Sequence, residues 1–303
     1  MSIKFSILIT TKNRLTDLKI TLARLASLLN REDVECLLYD DASSDGTVNF
    51  IALHYPHIKI FKNKTSLGLI HNRNVLLKKC LGNYAISLDD DAHFLSQNVL
   101  ENIVDYFELH PRCGVIACRI FWGKEAPFSM HTNEVAKRVK GFVGCGHVWN
   151  LQAWRTIPDY PEWFVFYGEE EFASYHLFKK EWEVHYVPQL LVQHRVEVKA
   201  RKKDADYAQR QRRSFRSGWY LYLLFFPLKT IPKKMVYTLW VQIKTKVLKG
   251  DLRASKGLVL ALFDVILHLP RLFGESNRFT VNEYQEYSKL EETKIYWQPE
   301  NEK

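Results

Sequence analysis

The chain reads as an α/β protein with a mainly parallel sheet flanked by helices. Two observations predict this. Short apolar runs alternate with stretches of helical spacing, joined by brief connections, from Phe5 to Arg119. Polar segments stand at the carboxyl ends of those runs, where open parallel sheets bind ligands: Thr10-Thr11-Lys12-Asn13-Arg14, Asp40-Asp41 and Asp89-Asp90-Asp91.

Phe5 to Thr10 is the first strand. Thr16 to Leu29 places Leu18, Leu22, Leu25 and Leu29 at helical spacing. Glu35 to Tyr39 is the second strand, and Asp45 to His54 fits a short helix capped by Ser44 or Asp45. Ile58 to Phe61 is the third strand, followed by a helix ending near Cys80. Tyr84 to Leu88 is the fourth, Gln97 to His110 a helix, and Val115 to Arg119 the fifth strand. From Phe121 to Glu162 the pattern is irregular and rich in Gly, Trp and His, as a cleft-lining segment would be. Glu169 to Lys180 is a helix with acids in its first turn. Val184 to Val187 and Leu190 to Val192 are short strands separated by Pro188.

The 303 residues suffice for one large domain or a domain with an appendage. A net charge of +9 points to an anionic partner: nucleotide phosphates, anionic lipid or nucleic acid. Aromatics reach 14%, which suits a sugar-facing cleft or a membrane-facing surface. Cys36, Cys80, Cys113, Cys118 and Cys145 show no zinc spacing, so reduced, buried thiols are expected. The first residues run straight into a strand, so no signal peptide is expected, and no apolar run is expected to reach membrane-spanning length.

Asp89-Asp90-Asp91 carries the most information. Three carboxylates where a buried strand leaves the core are costly unless something positive sits among them. A divalent cation bridging to phosphates meets that need; the alternative is a solvated acidic turn. Asp41 would accept a hydrogen bond from a base or a ribose hydroxyl. Arg73 lies one turn inside a helix that follows Gly68, within reach of a diphosphate; alone it would be an ordinary surface arginine. Glu169, Glu170 and Glu171 repel one another, which suits a partly buried member to general-base work. Dipole complementation at the helix start is the other reading. His194 closes a strand and is either a neutral metal ligand or structural.

Five blocks in order give the chain a resemblance to the family 2 glycosyltransferases, inverting nucleotide-sugar enzymes of the GT-A fold. They are Ile7 to Arg14, Asp40-Asp41, Gly68 to Asn74, Asp89-Asp90-Asp91, and Gly168-Glu169-Glu170 followed by His194. The resemblance spans about two thirds of the chain, Ser2 to His194. It implies that Thr10, Lys12 and Asp41 line the nucleoside pocket and that Arg73 faces the base or diphosphate. Asp89 to Asp91 would form the DxD-type motif, with Asp90 near the ribose and Asp91 on Mn²⁺ or Mg²⁺. His194 would be a further metal or diphosphate contact and Glu170 the general base. Two positions depart from the family pattern: the base is more often Asp, whereas here it is Glu in a row of three, so that Glu169 or Glu171 could share or take the role, and Lys12 stands where many relatives carry an aromatic residue. The QxxRW motif and transmembrane helices of processive synthases are absent from the sequence, which favours transfer of a single sugar.

After Arg195 the composition becomes basic, with Lys199, Arg201, Lys202 and Lys203, then apolar-aromatic and Lys-rich segments to Gly274. The expected division is a catalytic domain over 1–195, a basic-aromatic helical region over 196–274, and a loosely held polar tail over 275–303. The helical region suits the surface of an anionic bilayer, giving a cytoplasmic protein peripheral to the inner face of the plasma membrane. No nucleic-acid module is recognised. The expected function is transfer from a UDP- or dTDP-sugar to a lipid-linked or saccharide acceptor in surface polysaccharide assembly. A non-catalytic nucleotide-sugar binder is the alternative. A sugar-1-phosphate nucleotidyltransferase would need a Gly-rich N-terminal loop, and Thr10 to Arg14 contains no glycine.

Overall fold

A computed structural model of the protein describes residues 2–197 and 205–299. The basic run Lys199, Arg201, Lys202 and Lys203 lies outside the described residues.

Strands β1 (Phe5–Thr11), β2 (Val34–Asp40), β3 (Lys59–Lys62) and β4 (Tyr84–Asp89) form a parallel half-sheet. Helices α1 (Leu15–Arg24), α2 (Ala26–Leu29), α3 (Thr47–His54) and α4 (Leu69–Lys79) connect them. Phe5, Ile7 and Ile9 of β1 pack with Leu18 and Leu22 of α1, while Leu8 joins Ile70 and Leu76 of α4. Both faces of β1, β2 and β4 are buried, so these three strands read as largely apolar runs, while the edge strand β3 is partly exposed.

The second half mixes directions. It contains β5 (Ala92–Phe94), α5 (Val99–Leu109), β6 (Cys113–Trp122), β7 (Lys137–Val139), β8 (Gly146–Asn150), α6 (Leu151–Trp154), α7 (Glu169–Lys179) and β9 (Glu183–His194). The full order is β3-β2-β1-β4-β8-β6-β9-β5, with β7 on β9. The segment from Phe121 to Glu162 therefore does more than line a cleft, since it supplies β8, a central strand antiparallel to both β4 and β6. The two strands expected around Pro188 are one: β9 runs through, and its register against β6 shifts between Val187 and Leu191. Pro188 sits at that irregularity, where a missing N–H is tolerated.

Beyond the gap come α8 (Tyr207–Phe225), α9 (Ile231–Thr245), α10 (Leu252–Gly274) and α11 (Val281–Lys289). Contrary to the expectation that no apolar run reaches membrane-spanning length, α10 is by length and composition long enough to cross a membrane. Its Asp264 is buried and paired with Arg212 and Arg216 of α8. The described part of the tail, residues 275–299, is docked, contrary to expectation. Thr280 and Glu283 form a capping box on α11, and Tyr287 packs against Phe178 and Phe279. Trp297 donates its backbone N–H to the Ile120 carbonyl at 2.6 Å and covers the Arg119 guanidinium at 4.3 Å. Aromatic side chains gain enough by burial to hold such a segment. All five cysteines are buried free thiols.

Candidate active site

The carboxyl ends of β1, β2, β4, β6 and β9 meet along one edge. Two loops there are locked by short polar residues. Asn13 and Ala42 adopt left-handed backbone. The Asn13 side chain accepts from Ser44 N–H at 2.7 Å, and Asp45 accepts from Leu15 N–H at 2.9 Å and Thr47 N–H at 3.2 Å. Asp45 thus serves the first turns of both α1 and α3.

Adjacent residues of an extended chain point to opposite sides, and the acid run splits accordingly. Asp89 and Asp91 turn to one side with His194; their ligand atoms lie within 4.8 Å of one another. His194 Nε2 stands 3.0 Å from Asp91 Oδ1 and 3.8 Å from Asp89 Oδ2. Asp90 turns the other way. Its carboxylate takes the Thr11 hydroxyl at 2.8 Å and pairs with Arg14 Nε at 3.1 Å, and its carbonyl takes the Thr21 hydroxyl. Burial first, then repulsion from Asp91, pushes Asp90 up to about 7 against the pull of Arg14. Asp91 is also buried, but His194 and Arg14 outweigh that and hold it down at about 2. Arg14 Nη2 lies 2.5 Å from Asp91 Oδ2.

Two carboxylates and an imidazole are a donor set that fits Mn²⁺ or Mg²⁺, which favour oxygen ligands. The buried Nδ1 of His194 has no hydrogen-bond partner, and the ring is held instead by an edge contact with Trp122 at 5.6 Å.

Arg73 joins this cluster to the glutamates. It is 5% exposed. Its Nη2 donates to Asp89 Oδ1 at 2.9 Å and to the Gly144 carbonyl at 2.9 Å. Its Nη1 donates to Glu169 Oε1 at 3.1 Å and lies 3.7 Å from Glu170 Oε1. Asp89, Glu169 and Glu170 raise the Arg73 pKa despite its burial. Burial and the neighbouring Glu169 push Glu170 up to about 8, with Arg73 opposing. A Cβ at Gly144 would displace the Glu170 carboxylate and crowd the Arg73 guanidinium. Glu171 is exposed.

Asp41 is buried and fully engaged: Oδ1 accepts from Asn63 and Leu67 N–H, both at 2.8 Å, and Oδ2 from the Ser66 hydroxyl at 2.5 Å and Gly68 N–H at 3.2 Å. Those bonds lower its pKa despite its burial. They take the four positions a carboxylate offers, so Asp41 orders the loop that enters α4. Thr10 is half-buried and in register with Asp89, while Lys12 is exposed on the loop after β1. The site therefore gathers Asp89, Asp91, His194, Arg73, Glu169 and Glu170, with Thr10 and Lys12 at its rim and Asp90 facing away from the metal-ligand group. Sequence reasoning gave Arg14 no role of its own. The available signal was an arginine in the same polar segment that precedes α1, one strand away from three acids.

A mixed, mainly parallel sheet with this acid-arginine-histidine edge is a GT-A-type fold, the scaffold of nucleotide-sugar glycosyltransferases. Residues 6–175 match the family model "Glycosyl transferase family 2", and the chain belongs to that family. Solved structures share the fold. "GalNAc-T7 with UDP, GalNAc and Mn2+" superposes with a TM-score of 0.61 at 14% identity, over 89% of this chain and 58% of that one. S. aureus TarS 1–349 with UDP-GlcNAc gives 0.58 at 17% identity, over 90% and 84%. The Pyrobaculum calidifontis mannosyltransferase PcManGT with GDP-Man and Mn2+ gives 0.54 at 13% identity, over 95% and 79%. The chain spans little more than half the length of GalNAc-T7. A search of curated proteins found no sequence match.

Proposed function

We propose that the protein is an inverting glycosyltransferase moving one sugar from a nucleoside-diphosphate sugar, UDP or dTDP, to a hydroxyl of a lipid-linked or saccharide acceptor. The observation that carries this is the buried Arg73 guanidinium, held between Asp89 and the Glu169-Glu170 pair. It ties a site fit for a metal and diphosphate to a carboxylate fit to be a base.

Asp91 and His194, with Asp89, would hold Mn²⁺ or Mg²⁺. When bound, the cation supplies charge to stabilise the diphosphate leaving group. Thr10 and Lys12 wall the nucleoside side, with Asp41 holding the loop over Asn63 to Gly68 beneath it. Glu170 takes the proton of the acceptor hydroxyl, and Arg73 keeps its carboxylate aimed without hydrogen-bonding it. Attack from the face opposite the leaving group inverts the anomeric centre, so no covalent nucleophile is needed.

The C-terminal helices support work at an anionic membrane, the inner face of the plasma membrane, in surface polysaccharide assembly. Val236, Tyr237 and Trp240 of α9 and Val259, Phe263, Ile266 and Leu267 of α10 are exposed. Exposed Lys233, Lys244 and Lys249 accompany them. Apolar side chains with interleaved cations suit an interface, and the buried Asp264 pairs suit α10 to lying on the bilayer rather than spanning it.

The test is nucleotide release from UDP-, dTDP- and GDP-sugars with Mn²⁺ or Mg²⁺, in the presence of detergent-solubilised lipid acceptors, with the product anomer read by NMR. Metal-dependent turnover of one donor with inversion is expected. Nucleotide binding without turnover of any donor would favour a non-catalytic binder.

A further inference from the structure

Beside Glu170 a cavity of about 210 Å³ opens between the start of α7 and one face of α8. Tyr167, Gly168, Glu170 and Glu171 line it on one side; Ser214, Ser217, Gly218 and Leu221 line it on the other. A larger concavity of about 440 Å³ lies at the amino end of the sheet, near Ile3, Val34 and His57, away from the acids. Building on the transferase reading above, we propose that the smaller cavity seats the terminal sugar of the acceptor and that α8 sets acceptor selectivity.

Four observations carry this. Of the two glutamates on the cavity wall, Glu170 has Arg73 Nη1 3.7 Å from its Oε1, beyond hydrogen-bond length, which leaves that oxygen for a ligand. Gly218 stands inside α8, where Ala would stabilise the helix by about 1 kcal/mol. A Cβ at Gly218 would meet nothing within 4 Å, so packing does not demand glycine. The bare position keeps the cavity open.

The third observation is polarity. Ser214 and Ser217 present small hydroxyls at helical spacing, and Ser217 Oγ has only a long contact of 3.5 Å to the Phe166 carbonyl. Such a wall matches the hydroxyls of a sugar better than an apolar chain. The fourth is strain. Val165 and Tyr167 adopt left-handed backbone, with φ of 68° and 71°, which is costly for a β-branched and an aromatic residue. Arg216 of α8 holds this turn by donating to the Phe164 carbonyl at 2.5 Å. One helix thus fixes the loop that aims Glu170 and also forms the far wall of the cavity.

The volume is below the range of about 300–1,000 Å³ typical of drug-sized sites. It admits one sugar ring, so the acceptor class is a single terminal glycosyl unit with the remainder outside. In the reaction, the O–H proton of that unit passes to Glu170. The new bond to the anomeric carbon forms as the bond from that carbon to phosphate oxygen breaks, and the electron pair leaves with the nucleoside diphosphate.

The test compares wild type, Gly218→Ala and Gly218→Leu, using octyl glucoside, octyl galactoside and octyl N-acetylglucosaminide as acceptor probes. Sugar transfer and donor hydrolysis are measured together, and a circular-dichroism melt checks the fold. In Gly218→Leu the ratio of transfer to hydrolysis falls about tenfold or more and the acceptor KM rises, with Gly218→Ala between it and wild type. An unchanged ratio in folded Gly218→Leu would overturn the proposal. So would wild-type hydrolysis without transfer to any of the three glycosides. Absence of all donor turnover in wild type would count instead against the transferase reading.

Discussion

Arg73 donates to Asp89 at 2.9 Å, joining α4 to the end of β4 beneath the acid edge. Glu169, 3% exposed at its side chain, depends on the other arm of the same guanidinium at 3.1 Å. Replacing Arg73 by Met leaves that buried carboxylate unpaired. The expected cost is about 3–5 kcal/mol, as for breaking a buried ion pair. Arg73→Lys keeps a charge without the fork and falls between the two. Urea titrations of the three proteins check the order.

Asp91, held down at about 2, is ionised at neutral pH and ready for a cation. Asp91→Asn and His194→Ala each lower Mn²⁺ affinity by about tenfold or more. Arg14→Ala moves it the other way, because Arg14 competes for Asp91 Oδ2 at 2.5 Å. Titration calorimetry with Mn²⁺ alone reads all three.

A general base acts only when ionised, and Glu170, the proposed base, is pushed up to about 8. kcat/KM therefore rises with pH up to about that value and flattens above it. The stability sign is opposite. A carboxyl whose folded pKa lies above its unfolded one is best tolerated at low pH, below the unfolded value. Its contribution declines as pH climbs from there through about 8. Rate profiles and melts across the same buffers test both slopes; an acid limb near the ordinary carboxylate value would contradict the first.

On the proposed membrane role, Ser substitutions at Tyr237, Trp240 and Phe263, all exposed, are expected to lower binding to vesicles containing anionic phosphatidylglycerol. Binding of the unchanged protein is expected to weaken as salt rises. Equal sedimentation with neutral phosphatidylcholine vesicles would remove the electrostatic half of the account.

Trp297 is 4% exposed and lies over Arg119, which has buried Nε and Nη1 atoms without hydrogen-bond partners. Trp297→Ala is expected to cost about 3–5 kcal/mol, as other large aromatic truncations do. Denaturant unfolding measures it, and a loss under about 1 kcal/mol would mean that the tail contributes little.

The parallel half-sheet was legible because strands buried on both faces leave apolar runs such as Phe5 to Ile9 and Ala85 to Leu88. β8 was hidden. Gly146-His147-Val148-Trp149-Asn150 is short and begins with glycine after Gly144 and Cys145, so it carries no strand signal until β4 and β6 flank it. Asp89, Asp91, His194 and Arg73 could be named from local motifs, but Arg73 as the joint between two acidic clusters could not, because its partners lie up to 96 residues away. The opposite facing of Asp90 follows from strand alternation and was open to inference; the saturation of Asp41 by a loop 22–27 residues downstream was not.

Glu170 is the proposed base of a sugar transfer from a nucleoside-diphosphate donor. The most direct measurement compares donor affinity by calorimetry with transfer rate for wild type and Glu170→Gln. Glu170→Gln should bind the donor with unchanged affinity while transfer falls about 10²–10⁴-fold. Transfer at the wild-type rate in a folded Glu170→Gln protein would contradict the account.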